Sequence, residues 1–245
     1  MSEESAPVAS AINACKIYGS GDTEVRALDN LNVNFMRGNF AAVMGPSGSG
    51  KSTLMHTMAG LDRLSSGDVI ISGTNLNKLN EKDLTLLRRD RIGFVFQAYN
   101  LVPTLSAEEN MTLPQDLAGI KPDKGWFDEV VRAVGLGDRL THRPNELSGG
   151  QQQRVAVARA LVGQPDIIFA DEPTGNLDSR TGHEILEFLQ KAVGELNQTI
   201  VMVTHDPIAA SFTGRAIFLV DGQIVSEMLE PTADDIYNNM RTLGA

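Results

Sequence analysis

Three groups of residues in this chain have types and spacings suited to chemistry on a phosphate. Gly45-Pro46-Ser47-Gly48-Ser49-Gly50-Lys51-Ser52 fits G-x-x-x-x-G-K-[ST] in full. Its glycines let backbone amides turn inward around phosphate oxygens. Lys51 supplies a positive charge for the outer phosphates, and Ser52 can ligate Mg²⁺. The bland alternative is a glycine-rich turn at a helix start, and average composition produces such a pattern on the order of once per hundred chains of this length. An apolar strand-like run, Phe40–Met44, precedes the loop and a helical pattern, Thr53–Ala59, follows it. That is the context a phosphate loop requires.

The second group is Asp171-Glu172, two carboxylates at the end of the apolar run Ile167–Ala170. Asp171 is suited to holding Mg²⁺ through water, and Glu172 to polarising the water that attacks a γ-phosphate. Helix capping ahead of Pro173 would explain the pair in isolation. His205 ends the next apolar run, Thr199–Thr204. Parallel strands place their C-terminal ends at one edge of the sheet, where ligands bind in α/β folds. His205 therefore belongs near Asp171 and the phosphate loop, as a hydrogen-bonding partner of the γ-phosphate or the attacking water. Gln97, which follows Ile92–Phe96, can reach both Mg²⁺ and water without carrying charge. A glutamine at an element boundary means little alone.

The third group is Leu147-Ser148-Gly149-Gly150-Gln151. Ser148 and Gln151 form S-x-x-Q, a capping-box pattern ahead of the apolar helix Val155–Leu161. That is a sufficient structural reason for both residues. Two glycines in a first helical turn cost stability, and the sequence offers no packing return for them. Open glycine backbone at a helix N-terminus is instead a good anion site.

The elements that must position these residues alternate between strand and helix, implying an α/β fold with a mainly parallel core sheet. Early strand-like runs, Ala11–Tyr18 and Leu28–Met36, flank the polar stretch Gly19–Glu24 and suggest an antiparallel sheet beside the core. Asp68–Ser72 reads as a further strand. Residues 98–162 change to helical periodicity, an inserted helical subdomain. Gly182–Val193 reads as a helix. Ala216–Val220 and Gln223–Ser226 flank Asp221-Gly222, a two-residue hairpin turn.

Composition narrows the classes. The chain has 245 residues, 42% of them hydrophobic and 21% charged, ordinary for a globular protein with a sizeable core. Its longest apolar runs are strand-sized, well short of the roughly 18 to 20 residues a membrane helix needs. The acidic start, Met1–Ser5, lacks the basic-then-apolar order of a secretion signal. The single cysteine, Cys15, excludes an intrachain disulfide and fits a reducing compartment. Both point to the cytoplasm. A net charge of -10 argues against nucleic acid as a partner, and the basic run Arg88-Arg89-Asp90-Arg91 reads as a solvated helix end.

Taken in this order, the motifs make residues 9–226 resemble the nucleotide-binding subunit of an ABC transporter, a P-loop NTPase, with residues 227–245 as a C-terminal tail. The resemblance implies that Tyr18 stacks on adenine. It implies that Gly45, Ser47, Gly48, Ser49, Gly50, Lys51, Ser52 and Thr53 hold the phosphates of ATP, with Ser52, Gln97 and Asp171 around Mg²⁺. Gln97 becomes the Q-loop residue, Leu147–Gln151 the signature, Glu172 the catalytic base, Asp178 a D-loop residue across a dimer and His205 the switch histidine. In the family's head-to-tail dimer of two copies, Ser148, Gly149, Gly150 and Gln151 of one chain approach ATP held by the other. With about +0.5 per helix N-terminus, about +1 for Lys51 and +2 for Mg²⁺, closure raises the charge around each ATP only from about +3.5 to about +4. Geometry and water exclusion then contribute more to closure than charge.

Gly175-Asn176-Leu177-Asp178-Ser179, and Asn100–Leu105 with Glu109-Asn110 and Leu113-Pro114, resemble the MacB/LolD/FtsE group, which more often has valine where Met111 stands. That likeness implies an ATPase on the cytoplasmic face of the membrane, acting on a separate four-helix permease of the MacB/LolD/FtsX type. Efflux is the expected task, with haem as the first cargo from a likeness to HrtA-type exporters. The alternative is an FtsE-like driver of a cell-wall hydrolase without cargo. A soluble ABC protein acting on DNA, ribosomes or cluster assembly fits less well with the acidic charge and single nucleotide domain.

Overall fold

The computed structural model describes residues 6–243, so the acidic Met1–Ser5 and the last two residues lie outside it. Three strands open the chain: β1 (Ala9–Tyr18), β2 (Val25–Phe35) and β3 (Phe40–Met44). Helix α1 (Lys51–Met58), strand β4 (Ser66–Ile71), the short β5 (Thr74–Asn75) and helix α2 (Glu81–Arg91) follow. After β6 (Ile92–Val95) come helices α3 (Ala107–Leu117), α4 (Lys124–Val134) and α5 (Gly149–Val162). The chain then alternates through β7 (Ile167–Asp171), α6 (Ser179–Leu196), β8 (Ile200–Val203) and the single turn α7 (Pro207–Ala210). It closes with β9 (Arg215–Val220), β10 (Gln223–Leu229) and α8 (Ala233–Thr242).

Two sheets result. The core sheet runs β10-β9-β3-β8-β7-β6, parallel except for β10, and the smaller antiparallel sheet runs β2-β1-β4-β5. Strand β3 is buried along its whole length, as an uninterrupted apolar run covered on both faces should be. Side chains alternate across it. Phe40, Ala42 and Met44 point into a core shared with α3, α4, α5 and α6, while Ala41 and Val43 point into a core shared with α1 and the antiparallel sheet. Strand β7 divides likewise, Ile168 and Ala170 to the first core, Ile167 and Phe169 to the second.

Register fixes the functional edge. Val43 and Asp171 both pair with Val203, and Val95 pairs with Ala170, so β3, β8, β7 and β6 end together. The residues that follow are Gly45, Thr204, Glu172 and Phe96-Gln97. Asp221 and Gly222 both have positive φ, 48° and 76°, and make the tight β9–β10 turn. This turn braces the phosphate loop: Gly222 N donates to Ser49 O, and Asp29 N of β2 donates to Gly222 O.

Several boundaries differ from the sequence expectation for local reasons. Helix α1 begins at Lys51 and not Thr53, because Gly50, at φ 102°, serves as its N-cap. Helix α6 begins at Ser179, three residues earlier than expected, because the Asp178 side chain accepts from the Arg180 and Thr181 amides. The C-terminal stretch is structured: α8 buries Ile236 completely in the first core. Arg88, Arg89 and Arg91 are spent locally, on Gly60 O, Asp90 and Asp166.

Candidate nucleotide-binding site

The phosphate loop connects β3 to α1. A Cβ at Gly45 (φ 143°) would lie 2.1 Å from Leu219 O, and one at Gly50 (φ 102°) would lie 2.3 Å from Ala27 O. Backbone approach and positive φ together require glycine at both positions. No side chain caps α1, so the amides of its first turn are free for an anion. Lys51 Nζ donates to Gly45 O at 2.8 Å and Pro46 O at 2.7 Å, folded back along its own loop. Burial lowers its pKa, against the pull of Glu172 and Asp171. Ser49 Oγ is buried with no hydrogen-bond partner among the described residues.

At the end of β7, Asp171 makes no side-chain hydrogen bond among the described residues. Burial raises its pKa above the usual carboxylate range; His56 and Lys51 oppose the shift and Glu172 adds to it. Glu172 is held from three sides. Oε1 accepts from His205 N at 3.1 Å and lies 2.7 Å from His205 Nδ1, and Oε2 accepts from Thr204 Oγ1 at 3.2 Å. An ionised carboxylate only accepts, so Nδ1 carries the proton and Nε2 remains available. Glu172 has φ 44°, sparsely populated for a residue with a side chain. Its amide donates to Val203 O and its carbonyl accepts from Gly175 N.

A hydroxyl (Ser52), a half-buried carboxylate with no side-chain hydrogen bond among the described residues (Asp171) and an amide oxygen (Gln97) are ligand types suited to a hard cation such as Mg²⁺. Gln97 Nε2 lies 3.4 Å from Asn176 Oδ1, while Asn176 Nδ2 donates to Gln97 O at 2.9 Å. A Cβ at Gly175 would lie 2.7 Å from Gln97 Nε2, so the 175–176 turn fits directly beneath this glutamine. Tyr18 Oη donates to Asp62 at 2.6 Å and its ring is 42% exposed beside Lys16 Nζ, with Thr53 next to its hydroxyl.

Helix α5 carries the Leu147–Gln151 group. The capping box is formed: Gln151 N donates to Ser148 Oγ at 3.3 Å, and Ser148 N to Gln151 Oε1 at 2.9 Å. The expectation that packing does not explain Gly149-Gly150 is corrected for Gly150. It is buried, and a Cβ there would lie 2.2 Å from Thr181 Cγ2. Thr181 cannot easily turn away, because its hydroxyl donates to Asp178 Oδ2 at 2.7 Å. Gly149 is looser, its nearest neighbour for a Cβ being Tyr99 Oη at 3.1 Å. No hydrogen bond joins Leu147–Gln151 to Gly45–Ser52 among the described residues. Lys51, Asp171, Glu172 and His205 converge, whereas the signature group packs on 174–181.

Sequence reasoning missed several contributors. Asn110, fully buried, accepts from Val102 N and donates its amide to the carbonyls of Val102, Leu105 and Ser106, fixing the 102–106 loop onto α3. Arg159 donates to Tyr99 O and Asn100 O, both residues at positive φ. Thr204 was legible as the residue before His205 and Asn110 as part of the Glu109-Asn110 pair, though not what either holds; Arg159 is an interior helix position with no local signal.

A family profile described as ABC transporter matches residues 28–175. The lipoprotein-releasing system ATP-binding protein LolD of Geobacter metallireducens is 46% identical over 214 residues, 86% of this chain and 95% of its own. The macrolide export ATP-binding/permease protein MacB of Hyphomonas neptunium is 44% identical over 90% of this chain but only 34% of its own length. Among solved structures, the dimeric post-hydrolysis state of the Methanocaldococcus jannaschii cassette MJ0796, bound to ADP and Pi, superposes with a TM-score of 0.80 at 43% identity. That match covers 91% of this chain and 99% of the cassette. The chain with this phosphate loop, these strand ends and this signature helix belongs to the ABC transporter ATP-binding family and is an ATPase.

Proposed function

We propose that two copies of this chain close head to tail around two ATP at the cytoplasmic face of a membrane, driving a separate four-helix permease of the MacB/LolD type in efflux. The observation that carries the reading is that the Ser148–Gln151 helix N-terminus packs on 174–181 and makes no hydrogen bond to the chain's own phosphate loop among the described residues. It is a half-site awaiting a second chain. The dimeric state of the similar MJ0796 cassette, bound to ADP and Pi, supports a pairing of two copies.

Within each site Lys51, Ser47–Gly50 and Thr53 bind and orient the phosphates, and Tyr18 offers its ring to the base. Mg²⁺, when bound by Ser52, Asp171 and Gln97, supplies charge neutralisation at the phosphate oxygens. Glu172 takes the proton of the attacking water, and His205 fixes the carboxylate through Nδ1 while presenting Nε2 to the phosphate side. Asp178 faces the partner chain.

No helix of the described residues is long and apolar enough to cross a membrane; the permease of this reading is a separate chain, as the coverage of 95% of the LolD ATP-binding protein supports. An open groove of about 400 Å³, lined by Leu61, Phe94, Phe96, Pro114 and Arg159, suits a cytoplasmic element of such a permease. Arg159 also holds the backbone just after Gln97, so an occupant there touches the loop bearing a site residue. Export is supported by the macrolide-export name of the MacB relative; haem as cargo rests on the likeness to HrtA-type exporters alone. Copurification from detergent-solubilised membranes tests the permease: an integral membrane protein should elute with the chain, and its absence would overturn the reading. A division defect on deletion, with no cargo accumulating, would replace efflux by the FtsE-like reading.

A further inference from the structure

We infer that Gln153 is a positioning residue for hydrolysis, fixing the backbone that aims Glu172 from the helix that carries Ser148–Gly150. The inference rests on the reading of Glu172 as base. Gln153 is 0% exposed in the second turn of α5, and its Nε2 donates to Pro173 O at 2.7 Å. Its Oε1 finds no partner among the described residues. A buried amide satisfied on one side only is disfavoured relative to an apolar side chain of the same length. The single bond it makes is therefore the feature that sets glutamine apart from methionine at this position.

That bond falls at a sensitive place. Pro173 directly follows Glu172, whose φ of 44° must be held by its surroundings. On the N-terminal side, Glu172 N is fixed by Val203 O. On the C-terminal side the Glu172 carbonyl accepts from Gly175 N, and Pro173, which has no N–H, offers its carbonyl as the next polar handle. Gln153 takes it. Neighbouring contacts tie α5 to α4 and to α6, the helix that follows this exit segment: Arg154 donates to Glu184 at 2.9 Å and to Val134 O at 3.0 Å, and Gly150 seats Thr181. A displacement of the first turn of α5 thus carries the donor with it and alters the angle at which Glu172 leaves β7.

The test uses the full chain, measuring steady-state ATP turnover and equilibrium ATP binding. Gln153→Met keeps length and apolar packing but removes the donor. It should lower kcat by about 10- to 100-fold with ATP affinity unchanged, since misplacement by an ångström costs rates of that order. Gln153→Glu provides a readout that a merely structural role would not move. Its buried carboxyl can donate to Pro173 O only while protonated, so kcat should approach the parent at low pH and fall as pH rises, on a profile displaced from the parent's. It also serves as the test should Gln153→Met fail to fold. Parental kcat in Gln153→Met, or a Gln153→Glu profile parallel to the parent's, overturns the inference. Turnover surviving in Glu172→Gln overturns the base assignment and this inference with it, whereas an inactive Glu172→Gln beside a fully active Gln153→Met overturns the inference alone.

Discussion

His205 Nδ1 lies 2.7 Å from Glu172 Oε1, and the His205 backbone N–H reaches the same oxygen at 3.1 Å. The expectation from sequence places His205 toward phosphate or water; its ring holds the Glu172 carboxylate. The two roles are compatible because Nδ1 meets the carboxylate and Nε2 stays available. Glu172 is largely shielded, its side chain 19% exposed, while His205 is 75% exposed, so the histidine is the outer member of the pair.

Glu172→Gln should abolish turnover, a loss of about 10²- to 10⁴-fold for a missing general base, while ATP binding persists because the phosphate loop is untouched. His205→Ala should reduce kcat less than Glu172→Gln, since Thr204 Oγ1 and the 205 amide still hold the carboxylate. His205→Gln, which can still donate to Glu172, should fall between. Equal rates for the alanine and parent chains would remove the histidine from the reaction.

Gly150→Ala separates packing from ligand binding at the signature. Alanine recovers about 1 kcal/mol of helix propensity, but its Cβ meets Thr181 Cγ2 at 2.2 Å, and overpacking of this kind costs about 1–3 kcal/mol. The variant should melt below the parent. Adding Thr181→Ser removes the obstructing methyl and keeps the hydroxyl for Asp178, so the double variant should regain the parental Tm. If Gly150 serves only packing, turnover returns as well; if its open backbone also meets phosphate, stability returns and turnover does not.

What could be read from the sequence follows from what is local. The phosphate loop, the strand ends at Asp171 and Thr204, the Ser148–Gln151 cap and the Asp221-Gly222 turn are each encoded within a few consecutive residues. Parallel register then brings the phosphate loop and both strand ends to one edge. Gly150 was misjudged because its reason, Thr181, lies 31 positions away (181 minus 150) on another helix. Gln153 and Arg159 escaped for the same cause, and the role of Asn110 with them: each bonds to backbone carbonyls that no side-chain pattern announces. Asp178 was assigned only a role across the dimer, and its hold on the start of α6 needed coordinates.

Asp171 should show its cost as pH changes. Burial raises its pKa in the folded chain above the unfolded value, so the folded state binds the proton more tightly. Stability is then highest at low pH for this group and falls as pH rises through the window between the unfolded and the raised folded pKa. Above that window the ionised carboxylate is a standing penalty, which a bound cation relieves. Asp171→Asn should therefore raise the Tm of the nucleotide-free protein at neutral pH, by about 2–4 °C for each kcal/mol recovered, with the advantage shrinking on acidification. The same variant should lose the stabilisation that Mg²⁺ with ATP gives the parent. A lower Tm at neutral pH would show that Asp171 is not a strained ligand.

Assembly should limit the rate. The Ser148–Gly150 group packs against 174–181 and makes no hydrogen bond to its own phosphate loop among the described residues, so under the proposed head-to-tail closure a lone chain lacks a complete site. Closed two-fold dimers supply the missing half on both sides at once. Specific ATPase activity should then rise in proportion to protein concentration while dimers are scarce, and level off once they predominate. Glu172→Gln with ATP should shift the chain to dimer mass by light scattering, because binding continues while hydrolysis cannot reopen the pair. Activity per chain that stays constant on dilution, in solutions where light scattering finds only monomer, would mean that one chain completes its own site.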